Sequence, residues 1–137
     1  MPNWCENEIN INGPREEMEK FVDVFFTEDK DDGLWIDFHE VAPLGLGNDE
    51  DGKPKWDYDL AVRKWGTKWA PYQKKCWSEH TSKLFMEIHG EIETAWAPPE
   101  GIYNLMQEWI EDNDSEIHVD WFYKEPNMQD AGWLGSY

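Results

Sequence analysis

The residues best suited to chemistry crowd into one pentapeptide, Trp65-Gly66-Thr67-Lys68-Trp69, which sets two indoles, a hydroxyl and a cation around a permissive glycine. Connecting segments are ordinarily built from Ser, Asn, Asp and Pro, so this density marks either a binding site or a packed corner. With Trp96, the indoles of Trp65 and Trp69 define a candidate aromatic pocket for a base, a sugar or a cationic peptide, with Lys68 engaging an anionic group. The competing role is structural. A basic segment would fold back over an acidic surface, pair Lys68 with carboxylates and cover bare sheet with indoles.

A second constellation consists of carboxylates at alternate positions. Glu6 and Glu8, then Asp37, then Glu87, Glu91 and Glu93, and finally Asp120 each fall in the outward phase of an alternating run. On one sheet face they would imitate an array of phosphates. His39, His89 and His118 fall in the same phase, and imidazole with carboxylate suits zinc or a related ion when the groups converge on one point. Alternation places them on a face without making them converge, so no metal is expected. The chain contains no nucleophile elbow, phosphate loop or paired-histidine helix. No catalytic residue and no cofactor is expected, and a metal-dependent enzyme using a His/Glu pair is the weakest reading.

The elements that position these groups follow from periodicity. Residues 3–12 alternate with Cys5, Asn7, Ile9 and Ile11 inward and Trp4, Glu6, Glu8 and Asn10 outward, which predicts a half-buried strand. Gly13-Pro14 with Glu16 and Glu17 opens a helix whose stripe is Met18, Phe21, Val22 and Phe25, running to about Glu28 and ended by 29–33. Residues 34–41 read as a second strand and 42–54 as a surface loop. The acidic loop tip, 47–52, lacks the spacing and closing glutamate of a calcium site and reads as a plain turn. Asp59 is a candidate cap for a short helix through Lys64. Residues 84–96 form the longest alternating run, with Leu84, Met86, Ile88 and Ile92 inward. Pro98-Pro99 opens a second helix with the stripe Ile102, Leu105, Met106 and Trp109, and residues 116–125 alternate as a last strand.

The order strand, helix, strand, insert, strand, helix, strand predicts an α+β ferredoxin-like sandwich: an antiparallel sheet with two helices on one face, in a single domain over 1–137. The basic, Trp-rich insert spans about 42–83. Between Lys53 and Lys83, eight basic residues stand against three acidic ones, inside a chain of net charge −18. Such acidity opposes direct binding to nucleic acid or anionic membrane, so a basic host protein is the expected partner. Ten tryptophans among 137 residues argue against disorder. Cys5 and Cys76 have neither metal-ligand spacing nor scaffold density and read as buried free thiols. No leader or membrane span is evident, which leads to the expectation of a cytoplasmic protein.

Met1-Pro2-Asn3-Trp4-Cys5-Glu6-Asn7, Ile36-Asp37-Phe38 running to Ala42-Pro43, Trp65-Gly66-Thr67-Lys68-Trp69, and Thr94-Ala95-Trp96-Ala97-Pro98-Pro99 resemble the YubB-type ferredoxin-like domain family. These are small proteins of phages, plasmids and other mobile elements, with no established activity. The resemblance covers nearly the whole chain, departs at 47–52 and 70–83, and implies a mobile-element accessory protein of a bacterial cytoplasm with no catalytic residues to transfer. Two functions follow as expectations: an acidic DNA-mimic inhibitor acting through Glu6, Glu8, Glu87 and Glu91, or a small-molecule or peptide binder acting through the Trp-rich motif.

Overall fold

Alternation builds the sheet and three-to-four periodicity covers one side of it. The computed structural model describes residues 3–29, 33–73, 77–126 and 129–135. Strand β1 (Trp4–Pro14) is central, paired antiparallel with β6 (Phe85–Ala95) and with β7 (His118–Glu125). β8 (Asp130–Trp133) extends the β7 edge, while β4 (Tyr72–Gln73) and β5 (Ser78–Thr81) both add to β6, giving six strands in all. Among the described residues every pairing in this sheet is antiparallel.

Helix α1 (Arg15–Phe25) buries Met18, Phe21 and Phe25, and α4 (Glu100–Asp112) buries Ile102, Tyr103 and Met106. Both stripes join Ile9, Ile11, Ile88, Ile92 and Trp121 in one hydrophobic cluster. Each large apolar side chain taken out of water contributes about 1.5–3 kcal/mol, so this cluster fixes which sheet face lies inward. A polar network runs through it. Asn7 Nδ2 donates to Cys5 O, Ile92 O and Thr94 Oγ1, and Asn7 Oδ1 accepts from Trp121 Nε1 at 2.9 Å.

The region after α1 departs from the sequence expectation. The helix stops at Phe25 rather than near Glu28, because Phe26 turns extended and buries its ring edge-on against Trp77. The expected strand over 34–41 is mostly something else. β2 (Thr27–Asp29) and β3 (Gly33–Trp35) form a separate hairpin, and the Asp37 carboxylate accepts from the His39 N–H to start a helical turn, α2 (Phe38–Val41). Lys30, Asp31 and Asp32, within the expected helix stop, lie outside the described residues. The cap of α3 (Tyr58–Trp65) is Asp57, which accepts from Leu60 N, rather than Asp59. Leu84 precedes β6 and is 79% exposed, so that inward run begins at Met86.

Ala42, Leu44, Ala61 and Trp65 share the core cluster, so the insert is anchored on the helical side of the sheet. Trp77 lies over Gly90, an inward position of β6 that leaves no room for a Cβ. The acidic turn is self-contained: Asp49 Oδ1 accepts from the N–H groups of Asp51 and Lys53. Among the described residues no helix is long and apolar enough to cross a membrane.

Candidate functional site

The pentapeptide divides into a buried half and an exposed half. Trp65 is fully buried; its Nε1 donates to Ala42 O at 2.9 Å, and its ring meets Phe38 and His39 edge-on. Gly66 ends α3 with φ of 86°, and a Cβ there would stand 2.6 Å from the backbone nitrogen of Glu100. Gly101 matches it, since its own Cβ would meet the carbonyl of Lys64. Thr67 is buried and donates to Ala95 O at 2.8 Å. Trp65 thus ties the end of α3 to α2 and Ala42, Gly66 seats it against the start of α4, and Thr67 fastens it to the end of β6. The expected pocket is therefore not lined by Trp65, Gly66 or Thr67, whose side chains or contours are committed to packing.

Lys68 and Trp69 are the outward half. Lys68 Nζ lies 4.6 Å from the Trp69 ring centroid and 5.4 Å from that of Trp96. Trp4 sits beside Trp69, 6.2 Å between centroids, and Trp56 Nε1 donates to Lys68 O at 2.6 Å. Trp69 and Trp96 together form an aromatic ledge with a cation seated on it. Trp4 and Trp56 were missed as site residues. For Trp4 the signal was present, because it shares the outward phase of Glu6 and Glu8; Trp56, in a polar loop, carried none.

The outward sheet face is open among the described residues. Its register sets Glu6 opposite Glu93 and Glu8 opposite Glu91 across β1 and β6, with Asn12 opposite Glu87. On the β7 side Glu6 faces Lys124, Glu8 faces Phe122 and Asn10 faces Asp120. Glu6, Glu8, Glu91 and Asp120 are exposed and Glu87 and Glu93 half-buried. The ion pairs recorded among the described residues are Arg15–Glu19 and the exposed contact Lys124–Glu6 at 3.4 Å; Lys68 is in neither. The basic insert thus does not lay Lys68 across the acidic face. Asp37 and His39, expected on that face, lie elsewhere: Asp37 caps α2 and His39 is within it, its ring 4.8 Å from that of Trp65.

His89 and His118 do share the open face, but on β6 and β7 with β1 between them, so their strands lie about 10 Å apart. Among the described residues no group of three His, Cys, Asp or Glu is placed to hold a metal ion. His80, opposite Glu87, is a further imidazole that its place in an unassigned stretch concealed. Cys5 is a buried free thiol, pushed up to about 11 chiefly by burial, and is no nucleophile at neutral pH. Cys76 lies outside the described residues.

A cavity of about 610 Å³ opens between α4 and the β7–β8 edge, bordered by Glu100, Tyr103, Glu111, Tyr123 and Trp133. Burial, then the charges of Asp130 and Glu100, push the Tyr123 phenol above its usual range. Negative potential therefore extends around that edge of the sheet. Comparison with protein-family models, with characterised protein sequences and with solved structures returned no match.

Proposed function

We propose that this chain acts by binding, presenting the open face of its sheet to a basic host protein and occupying the groove in which that protein holds nucleic acid. The observation that carries the reading is the doubled like-charge rung, Glu6 opposite Glu93 and Glu8 opposite Glu91. Like charges directly opposed across strands are destabilising, by an amount on the order of 0.2–1 kcal/mol per pair. Solubility alone is served as well by interspersed charges of both signs. Two such rungs in succession concentrate negative charge on the open face, which favours a basic partner. Lys124 reaches Glu6 at 3.4 Å in a contact exposed on both sides, which is worth little.

The spacing supports the same reading. Carboxylates recur at about 5 Å between strands and about 7 Å along them, a dense negative array of the kind that phosphate-binding grooves attract. The strand order β7-β1-β6-β5, with α1 and α4 packed on one side, suits the ferredoxin-like sandwich, in which one sheet face is left uncovered. RNA-binding proteins with a comparable sheet display aromatics and cations there; in this chain the sign is inverted. The resemblance to the YubB-type family supports the accessory role in a mobile element.

The test is capture of proteins from nuclease-treated bacterial lysate on the immobilised chain, followed by elution with double-stranded DNA at low salt. Mimicry requires that the captured proteins be basic, that DNA displace them, and that the quadruple variant Glu6→Gln, Glu8→Gln, Glu87→Gln, Glu91→Gln capture none. Retained proteins that DNA leaves in place would sink it.

A further inference from the structure

Two large rings at the end of the acidic face are held in water around a cation. Trp69 is 37% exposed and Trp96 48% exposed, and the Lys68 ammonium lies within cation–π distance of both. The two rings therefore converge on one point, the arrangement that aromatic cages use for cations. The backbone adds an independent sign. Trp96 has φ of 70°, a left-handed conformation that a bulky side chain rarely adopts, and it is fixed by Trp96 N–H to Asn3 O at 2.8 Å and Ala97 N–H to Ala95 O at 2.9 Å. Strain of this kind persists where the projected side chain is needed, since Gly or Asn would relieve it.

The ledge is continuous with the carboxylates. Trp4 borders Trp69 and lies in the same phase of β1 as Glu6, two residues on; Ala95, just before Trp96, lies in the same phase of β6 as Glu93. A flat cation resting on the indoles would have carboxylates within reach of its edge. Guanidinium meets both demands, because it is planar, weakly hydrated, stacks on aromatic faces and forks onto carboxylates, whereas an ammonium is a compact, strongly hydrated point charge.

We infer that Trp69 and Trp96 form a subsite for an arginine side chain of the basic partner, with Lys68 as the resident cation that the arginine displaces. This rests on the acidic-face reading and adds to it a preference for arginine. The experiment is calorimetric titration of the folded chain with deca-arginine and with deca-lysine at one moderate salt concentration, repeated on Trp96→Gly. Glycine suits the left-handed backbone at that position, so the variant retains its fold, checked by far-ultraviolet dichroism. The wild type should bind deca-arginine more tightly by about fivefold or more. Trp96→Gly should cut the arginine preference by half or more and leave deca-lysine unchanged, with Trp69 and the carboxylates retaining the remainder. Equal affinities in the wild type, or an arginine preference undiminished in Trp96→Gly, would overturn the subsite while leaving the acidic face standing. If neither peptide binds, both readings fall together.

Discussion

Cys5 carries a pH signature that isolates one side chain. Its thiol is fully buried, and burial raises it to about 11 against the hydrogen bond from Thr94, which lowers it. In the unfolded chain the thiol ionises near its ordinary value of 9.0. The folded value is the higher of the two, so the stabilising contribution is complete below the unfolded value and is lost as pH rises through the folded one. A difference of about two units corresponds to about 3 kcal/mol at most. Urea unfolding of the wild type and Cys5→Ala at pH 8 and at pH 11 checks this. The advantage of the wild type over the variant should shrink across that range, whereas a constant difference would show that the thiol ionises alike in both states. Taking the difference cancels groups that do not interact with Cys5; Tyr123, which feels the charge of the Cys5 thiolate, is not among them.

At the scale of the strands, charge and stability are set against each other on β1 and β6. Glu8→Lys would turn the like-charge rung with Glu91 into an opposite-charge one, and it should stabilise the fold by about 0.5–1 kcal/mol at low salt. The gain should shrink in high salt, as screening requires. The same substitution should weaken capture of basic proteins, so stability and binding move in opposite directions. A loss of stability at low salt would mean that the rung is not repulsive. The long strands that create this rung were legible because a period of two over eight to eleven residues is hard to produce by accident: Cys5, Asn7, Ile9 and Ile11 point inward as the alternation requires. Residues 26–41 were not legible, since a few positions from Leu34 to Phe38 alternate by chance and the decisive events are single ones. Phe26 leaves the helix to reach Trp77, and Asp37 caps its own turn. The pentapeptide was legible as special but not as divided, because Trp65 is buried by Phe38, His39 and Ala42, which lie more than twenty residues earlier in the chain.

Across the whole molecule the net charge of −18 acts on folding before any partner is present. Thirty acidic residues against twelve basic ones repel one another in the compact state more than in the expanded one, and the excess is concentrated outside the 53–83 segment. The open face adds to this, since its exposed carboxylates lie within one Debye length of each other at moderate salt. Raising sodium chloride from about 10 mM to about 300 mM shortens that length from about 30 Å to well under 10 Å, which screens neighbours across the sheet as well as across the molecule. The melting temperature should therefore rise with salt, by about 3–4 °C for each kcal/mol recovered in a domain of this size. Scanning calorimetry in sodium chloride checks it, with the quadruple Gln variant at Glu6, Glu8, Glu87 and Glu91 as comparison. That variant should start from a higher melting temperature and respond less to salt, because the repulsion has been removed at its densest point. An equal salt response in the two would place the strain in the remaining acidic surface instead. The open face would then have no special electrostatic cost, and the like-charge rungs would no longer argue for a partner.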